Sequence, residues 1–463
     1  MKTFERRIYS QLLDWKLRLA GKYALLLEGA RRVGKTYVLK RFAESEYRSC
    51  IYIDFSMKDS RTSDAKNAFA RSKDIADLLL RLQLIFEVRL FDGESCIVFD
   101  EVQRFPTARE AIKHLVEYGR YHYIESGSLV GIKENVRDIV IPSEEHKLKM
   151  YPLDFWEFLD ATEHSMVKDE VLRCIADKSA PLPELHRSAF DLFRLYMVVG
   201  GMPQSVSAYV SANEAEALHA SEDAKREILS LYEYDIGKYA KGYSSKVRDV
   251  FRMVPSALNR HERKFHLAAI SPDARMRRYE NAFLWLEDAM IVNVARNVTS
   301  PNLEMDMNVD DSSFKCYLLD TGLLVTMAMG ARKSPDLRIL RGILHDNLGI
   351  NEGMFFENAV AQALVSCGDE LRFYSRKDVK NPKETMEIDF LVKRGIKTVP
   401  IEVKSGRYRS HASLDRFMAK FRKNVSSGYV CCSGNRETDG RIVYLPAYMA
   451  SCLGFNLYYG YKL

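Results

Sequence analysis

Short apolar runs alternate with longer stretches of helical periodicity over the first third of the chain. Four of these runs predict β-strands, namely "YALLLEG", "CIYIDFS", "SCIVFDE" and "YHYIESGS". The segments between the runs are long enough for crossover helices, which favours a parallel α/β sheet. We expect the segment "YPLDFWEFLDA" to close this unit, so the first predicted domain spans residues 1–162.

The middle of the chain, residues 163–335, has mainly helical periodicity. The stretch "HRSAFDLFRLYMVVGGMPQSVSAYV" predicts a helix, a Gly-Gly break and a second helix. Farther on, "ARMRRYENAFLWLEDAMIVNVARN" has helical spacing and a strand-like end, and "YLLDTGLLVTMAMG" follows it. This order resembles a winged helix, a module that either binds DNA or serves as a packing and partner-binding element. The sequence leaves both roles open.

Residues 336–463 return to an α/β pattern. One helix is predicted over "NEGMFFENAVAQALVSCG" and another over "HASLDRFMAKFRK". Strands are predicted at "LRFYS", "EIDFLVKRG", "TVPIEVKSG", "GYVCCSG" and "RIVYLP". The predicted fold class is therefore α/β, with a parallel-sheet domain, a helical, winged-helix-like domain and a second α/β domain in that order.

Composition indicates the number of domains and the cellular environment that we expect for the protein. The 463 residues are enough for roughly two or three domains, each with its own core. No apolar run approaches the roughly 18 residues that cross a bilayer, and the charged start "MKTFERRIYSQLLDWK" lacks the apolar stretch of a signal peptide. The 8 cysteines show no paired metal spacing. We therefore expect a soluble protein in a reducing, cytoplasmic setting, with no membrane partner.

Positive charge is concentrated in one segment. The whole chain has a formal net charge of +6, which is mild for its length. Residues 371–424 alone contain 15 Lys/Arg and 6 Asp/Glu, an excess of 9. Such a segment either faces the phosphates of a nucleic acid or forms an ordinary solvated surface. DNA or RNA is therefore a candidate partner.

The octapeptide "GARRVGKT" follows an apolar run, precedes a helical pattern and fits the P-loop motif G-x-x-x-x-G-K-T. In such a loop the glycines let the backbone wrap the phosphates, and the amides at the helix start point at them. Lys35 would reach the β and γ phosphates, and Thr36 would ligate Mg²⁺. The predicted nucleotide-binding residues of this loop are Gly29, Ala30, Arg31, Arg32, Val33, Gly34, Lys35 and Thr36.

Two acids end the apolar run "CIVFDE". Asp100 would hold Mg²⁺ directly or through water, and Glu101 would act as general base towards the attacking water. An ionised pair at the end of a buried strand is costly without a cation, which supports this metal-linked role. Ser126, at the end of "YHYIES", would hydrogen-bond the γ phosphate or that water. ATP and Mg²⁺ are thus the expected cofactors.

These motifs resemble the AAA-type P-loop ATPases that carry an acidic pair in the second motif. The order of "GARRVGKT", "FDEVQRFP", "SGSL" and "YPLDFWEFL" is similar to a bacterial and archaeal family in which an AAA domain precedes a carboxy-terminal domain of unknown function. The second region of that family is matched by "GGMPQSV", "YLLDTGLL" and "FFENAV". Its members commonly have a Gly-Arg pair before "PL", which "SEEHKLKMYPL" lacks. Arg31, Arg32 and Arg104 are therefore not assigned as arginine fingers.

A second candidate site lies in the last predicted domain. Asp389 interrupts an apolar strand, and Glu402 and Lys404 share one face of the next strand, because side chains alternate across a strand. A tight "RGIK" turn joins the two strands, and Glu357 lies on the preceding helix. A solvated Glu–Lys pair worth under ~1 kcal/mol is the alternative reading of Glu402 and Lys404.

The order of helix acid, Asp and E-x-K resembles the restriction-endonuclease-like core known as PD-(D/E)xK. In such sites carboxylates bind one or two Mg²⁺ ions, and the lysine orients the attacking water. The resemblance implies Glu357, Asp389 and Glu402 as metal ligands, and Glu402 and Lys404 as catalytic residues.

Two functions are consistent with these patterns. The first is an ATPase that couples its nucleotide state to a nucleic-acid-acting, Mg²⁺-dependent nuclease domain. The second is a nucleotide-dependent DNA-binding or regulatory switch whose nuclease-like domain does not cleave. Carboxylates that converge on an open, basic groove favour the first, and a Glu402 paired only with Lys404 favours the second. A hexameric remodelling ring would need an arginine finger that the sequence does not identify, so the oligomeric state stays open.

Overall fold

The structure is a computed structural model that describes residues 4–127, 143–240, 242–260, 263–265, 276–302, 305–330, 337–345, 352–377 and 385–453. The chain divides into two compact units. The amino-terminal unit is Glu5–Tyr151 with Asp288–Met290, and the carboxy-terminal unit is Met1–Phe4, Pro152–Glu287 and Ile291–Leu463. Within the described ranges, no helix is both long and apolar enough to cross a membrane.

A parallel sheet of five strands forms the centre of the amino-terminal unit, in the order β2-β3-β4-β1-β5. Its strands are β1 (Ala24–Gly29), β2 (Ser49–Asp54), β3 (Ser95–Asp100), β4 (His122–Gly127) and β5 (Glu145–Met150). Its helices are α1 (Ile8–Arg18), α2 (Lys35–Glu46), α3 (Ser60–Arg71), α4 (Ile75–Phe86) and α5 (Pro106–Tyr118), with a short 3₁₀ helix at Val102–Arg104. Every residue of β1 and β3 is buried, as expected for strands covered on both faces.

Sequence periodicity predicts four of these strands and misses β5. Among the described strands β5 lies at the edge of the sheet and pairs with β1 alone, and Met150 is its one buried residue. The segment "EHKLKM" therefore has no need of a continuous apolar run.

A mixed sheet of eight strands organises the carboxy-terminal unit, in the order β12-β13-β11-β10-β9-β8-β6-β7. Its strands are β6 (Val292–Val298), β7 (Val309–Leu318), β8 (Arg372–Arg376), β9 (Met386–Arg394), β10 (Lys397–Lys404), β11 (Gly428–Cys432), β12 (Glu437–Asp439) and β13 (Ile442–Pro446). Strand β9 is antiparallel to both β8 and β10, whereas β11 is parallel to both β10 and β13.

The helices of this unit include both helices of the predicted Gly-Gly pair and both helices predicted near the carboxy-terminal strands. They are α6 (Phe155–Ala161), α7 (Ser165–Ala176), α8 (Pro183–Val199), α9 (Pro203–Ser211), α10 (Ala217–Tyr239), α11 (Ser244–Leu258), α12 (Met276–Asp288), α13 (Thr321–Met329), α14 (Leu337–Leu344), α15 (Glu352–Ser366) and α16 (Ala412–Lys420). Short 3₁₀ helices occur at Met305–Asn308 and Ala447–Leu453.

One sheet of the carboxy-terminal unit contains strands from both sides of residue 335, where the predicted division of the chain lies. The expected hairpin after α12 is the β6–β7 pair, but β6 also runs parallel to β8, with Arg296 opposite Arg372. Strands from both predicted domains, 163–335 and 336–463, therefore share one sheet. The motif "YLLDTGLL" ends β7 and begins α13, so it does not continue a wing. Apolar alternation indicates a hairpin but does not identify the strand that lies beside it.

Three motifs of this unit, "GGMPQSV", "YLLDTGLL" and "FFENAV", are joined by buried hydrogen bonds. Asp320 accepts from the amide of Gly201 at 2.6 Å and, as the cap of α13, from that of Leu323 at 2.9 Å. The side chain of Asn358, on α15, accepts from the amide of Leu318 at 2.8 Å and donates to its carbonyl at 3.2 Å. These motifs therefore join helix ends and strand ends inside the core.

The β9–β10 hairpin positions the predicted acids of the last domain. Its register runs from Arg394 opposite Lys397 to Phe390 opposite Ile401. Gly395 makes the turn with a φ of 57°, in the left-handed region that favours glycine. Because side chains at opposite positions share a face, continuing this register brings Asp389 and Glu402 to one side of the sheet.

Candidate functional site

The P-loop connects β1 to α2. Arg32 and Gly34 have positive φ angles of 71° and 100°, so the backbone turns through the left-handed region twice. A Cβ atom on Gly29 would lie 2.6 Å from the carbonyl oxygen of Met150, which leaves room only for glycine. The loop therefore leads directly into the amino terminus of α2. The first amides of that helix have no partner within the helix and can bind an anion.

Lys35 is folded back onto this loop. Its Nζ donates to the carbonyl oxygens of Gly29, at 2.9 Å, and Ala30, at 3.0 Å. Burial lowers the pKa of Lys35, while Glu101 and Asp100 act in the opposite direction. A buried ammonium that is bonded to neutral carbonyls is a ready donor for an anion such as a phosphate.

Asp100 is the centre of the predicted site. Its Oδ2 accepts from the Thr36 hydroxyl at 2.8 Å and from the Tyr52 hydroxyl at 2.6 Å. Its Oδ1 accepts from the Ser126 hydroxyl and from the amide of Glu101. The structure thus brings the predicted site residues Thr36, Asp100 and Ser126 together and adds Tyr52 to them.

Glu101 follows directly on β3 and has a positive φ of 53°. Its Oε2 accepts from Nε2 of Gln103 at 2.8 Å and lies 4.0 Å from Nε of Arg104. The carboxylate of the predicted general base is therefore held by the 3₁₀ turn that follows it.

Arg6 supports the P-loop from outside the motif. Its guanidinium donates through Nη1 to the carbonyl of Val33 at 2.9 Å and through Nη2 to the carbonyl of Tyr151 at 2.7 Å. The segment before α1 therefore joins the phosphate-binding loop to the end of β5. Arg31 and Arg32, within the motif, are exposed.

A second polar cluster surrounds Lys315 on β7, which is fully buried. Its Nζ lies 3.2 Å from Oε1 of Glu357, 3.2 Å from Oδ1 of Asp389 and 3.1 Å from Oε1 of Glu387. The hydroxyl of Tyr317 also donates to Glu357. Glu357 and Asp389 thus converge, but the cation between them is an ammonium group of the chain itself.

The charges of this cluster support one another. Arg263 forms an ion pair with Glu357. Burial acts to raise the pKa of Asp389, but Lys315 and Arg263 outweigh it and hold that pKa below its ordinary value. Burial likewise acts to lower the pKa of Lys315, but Tyr317 and Asp389 outweigh it and raise that pKa. Lys315 therefore stays protonated and Asp389 stays ionised at neutral pH.

Glu402 has a different partner. Its Oε1 lies 2.7 Å from Nζ of Lys404, and its Oε2 has no hydrogen-bond partner among the described residues. The second carboxylate oxygen of Asp389, Oδ2, accepts a hydrogen bond from the amide of Val403 at 2.9 Å. Burial raises the pKa of Glu402. The charge of Lys404 acts to lower that pKa, and the charge of Asp389 acts to raise it. Of the three predicted metal ligands, Glu357 and Asp389 therefore pair with Lys315, and Glu402 pairs with Lys404.

Comparison with known families assigns the amino-terminal region. Residues 21–159 match the family described as "AAA domain", and this range contains the P-loop, the acidic pair and Ser126. This region is an AAA-type P-loop domain. The assignment supports ATP binding and hydrolysis by the amino-terminal unit.

Two regions after the AAA domain match families without a described function. Residues 190–334 match "Domain of unknown function (DUF8612)", and residues 352–449 match "Domain of unknown function (DUF4143)". No curated protein matches the chain.

Solved structures show distant similarity. Cdc6p from Pyrobaculum aerophilum is 12% identical over 74% of this chain and 93% of that chain, with a TM-score of 0.26. Drosophila ORC bound to DNA is 12% identical over 68% of this chain and 92% of that chain, with a TM-score of 0.30. Both TM-scores are low, so neither similarity bears on activity or partner.

The AAA domain offers donors that suit magnesium. The Thr36 hydroxyl and the Asp100 carboxylate are hard oxygen ligands, and they already lie side by side. Within the described part of the chain, no group of three or more His, Cys, Asp or Glu residues forms a metal cage. This donor set fits an ion that keeps waters and binds nucleotide phosphates as its other ligands.

Three residues that contact the predicted site of the AAA domain are not among its predicted residues, namely Tyr52, Arg6 and Gln103, although Gln103 lies within the motif "FDEVQRFP". Tyr52 shares a strand face with Asp54, which is in register with Asp100. Strand alternation therefore points to Tyr52 once β2 is known to lie beside β3. Arg6 has no comparable signal, because its partners are backbone carbonyls far along the chain.

Proposed function

We propose that this protein is an Mg²⁺-dependent ATPase that acts as a nucleotide-dependent switch, with a nuclease-like carboxy-terminal region that binds nucleic acid without cleaving it. The observation that carries the proposal is the position of Lys315, whose ammonium occupies the point where Glu357 and Asp389 converge. Because this buried lysine already balances the two acids, they do not need a divalent cation for charge compensation.

The AAA domain supplies the residues for hydrolysis. Lys35 would exchange its loop carbonyls for phosphate oxygens, and Glu101 would accept the proton of the attacking water. Ser126 would orient that water or the γ phosphate. Thr36 and Asp100 would hold Mg²⁺, which neutralises negative charge on the phosphate oxygens.

The topology after residue 352 supports a restriction-endonuclease-like core. Helix α15 is followed by the antiparallel strands β8, β9 and β10, then by α16 and by β11, which is parallel to β10. Glu357 lies on that first helix, Asp389 on the second strand and Glu402 on the third. The proposal of a nuclease-like fold rests on this order and on the placement of the acids.

The surface charge of this core supports a limited nucleic-acid contact. Part of the positive excess is neutralised by other segments, because Arg372 and Lys393 bond to Asp306 at 3.0 and 2.9 Å. The basic residues within 420–423, at the end of α16, remain exposed. We assign them to the nucleic-acid backbone, where exposed Lys and Arg contact phosphates without reading sequence.

Hydrolysis and nucleic-acid binding, measured together, test the switch. Wild type should hydrolyse ATP with Mg²⁺ and bind labelled DNA or RNA with different affinities in ATP and in ADP. Glu101→Gln should bind ATP, hydrolyse it about 10²–10⁴-fold more slowly and keep the affinity of the ATP state. Lys35→Ala should lose the dependence on nucleotide. Equal affinities of wild type in ATP, ADP and neither would overturn the switch.

Mg²⁺-dependent cleavage is the second candidate function, because Glu357 and Asp389 do meet at one cation position. Wild type, Asp389→Asn and Lys404→Ala should be incubated with labelled DNA and RNA and with Mg²⁺ or Mn²⁺. The switch predicts no products from any of the three. Products from wild type that disappear in Asp389→Asn would instead establish the nuclease.

A further inference from the structure

One oxygen of the AAA domain receives two hydroxyl donors from different elements. Oδ2 of Asp100 accepts from Thr36, on α2, and from Tyr52, on β2. Thr36 belongs to the P-loop motif and Tyr52 belongs to no motif. The phenol nevertheless makes the shorter of the two bonds, at 2.6 Å against 2.8 Å.

The position of Tyr52 is fixed on two sides. Strands β2 and β3 are parallel neighbours in which Asp54 is opposite Asp100, so the tyrosine ring lies on the face from which Asp100 projects. On the other side, Nζ of Lys40 lies 5.0 Å from the centre of the ring. Lys40 follows Thr36 by one helical turn, so the same helix face that supplies Thr36 also covers Tyr52.

The acid that receives the phenol is buried, because only 1% of the surface of residue Asp100 is exposed. The Tyr52 hydroxyl therefore fixes the orientation of an acid that solvent hardly reaches.

We propose that Tyr52 is a positioning residue for the magnesium ion of the ATP site, because its hydroxyl holds the Asp100 carboxylate in the orientation that receives the ion beside Thr36. The inference rests on the proposed ATPase activity. Carboxylates that ligate metals are commonly held by such hydrogen bonds, and loss of one holding partner weakens metal affinity by about 10–100-fold.

Tyr52→Phe tests this role, and Tyr47→Phe is the matched control. The Tyr47 hydroxyl is also hydrogen-bonded inside the AAA domain, to Nδ1 of His122 at 3.1 Å, but it does not contact Asp100. Binding of a fluorescent ADP should be measured with and without Mg²⁺ for both variants and wild type. We expect Tyr52→Phe to bind ADP alone like wild type and to lose about tenfold of the affinity that Mg²⁺ adds. Tyr47→Phe should keep the full gain.

The magnesium concentration for half-maximal ATP hydrolysis should rise by a similar factor in Tyr52→Phe. A Tyr52→Phe protein with the same Mg²⁺ dependence as Tyr47→Phe would overturn the inference and leave the ATPase standing. Loss of ADP binding without Mg²⁺ would overturn it too, because the tyrosine would then only maintain the fold. If wild type and Lys35→Ala hydrolyse ATP equally, the proposed function itself fails.

Discussion

Lys35 and Lys315 are both buried ammonium groups, but their partners differ in charge. Lys315 contacts carboxylates of Glu357, Asp389 and Glu387, and its pKa is raised. Among the described residues, Lys35 hydrogen-bonds only to carbonyl oxygens, and burial lowers its pKa. A cation that is fully balanced by anions holds its position, whereas one bonded to neutral groups gains by meeting an anion. At the scale of single residues, Lys35 is therefore suited to exchange its carbonyl partners for a ligand, and Lys315 is suited to stabilise the fold.

Replacing Lys315 by Met should destabilise the carboxy-terminal unit by about 3–5 kcal/mol at neutral pH, because the acids around it stay buried without their cation. Arg252→Met is the control, since its ion pair with Glu233 is exposed at both ends and should be worth under ~1 kcal/mol. Urea unfolding at pH 7.5 measures both. Similar effects of the two substitutions would show that Lys315 does not compensate the acids.

The effect of Lys315→Met should also shrink as the pH falls. In wild type, Asp389 has a lowered pKa, so its contribution to stability is present above its ordinary pKa and is lost as the pH falls through the folded value. Without Lys315, burial instead raises that pKa, and the penalty acts above the raised value and disappears below about 4. Unfolding measured from pH 7.5 to 4.5 should therefore show wild type and variant converging.

At the scale of elements, the junction between α8 and α9 depends on close approach of two backbones. Gly201 accepts through its carbonyl from the amide of Leu153 at 2.7 Å. A Cβ atom on Gly201 would lie 2.0 Å from the carbonyl oxygen of Leu153. The sequence predicts the break between the helices from the Gly-Gly pair, but the reason for glycine is this contact across the fold.

Gly201→Ala should destabilise the carboxy-terminal unit by about 1–3 kcal/mol or more, because backbone must move to admit the methyl group. Gly406→Ala is the matched control, since a Cβ atom there meets no described residue within 4 Å. The shift of the urea midpoint measures each change. A midpoint of Gly201→Ala equal to that of Gly406→Ala would contradict the packing argument.

The elements are largely predictable from the sequence because their signals are local. Strands β1 and β3 have continuous apolar runs, and the P-loop is a single octapeptide. Partners from distant segments have no such signal. Lys315 reaches Asp389 from 74 residues away, and Tyr52 reaches Asp100 from 48. The sequence therefore predicts Glu357 and Asp389 as neighbours but not the lysine between them.

At the scale of the whole molecule, one β-sheet crosses the predicted domain boundary at residue 335. The hairpin β6–β7 lies before residue 335, and the strands from β8 onwards lie after it, yet they form one ladder. Sheet edges that lose a neighbour expose backbone groups that invite aggregation. The cooperative unit after the AAA domain should therefore be larger than the last predicted domain.

Fragments of the chain test this expectation. A fragment of residues 1–151 keeps all five strands of its sheet and should fold on its own with a cooperative melting transition. A fragment of residues 336–463 loses β6 and β7 and should aggregate or remain unfolded. Circular dichroism and thermal melting distinguish the two results. Cooperative folding of residues 336–463 would show that the boundary at 335 separates two independent domains.

Arg6 has a practical consequence for the AAA domain. The family match begins at residue 21, but the guanidinium that holds the carbonyl of Val33 comes from residue 6. The residues that support the P-loop therefore begin before the residues that match the family. A protein trimmed to the matched residues would keep every motif of the ATP site and lose the brace that holds its loop to the end of β5.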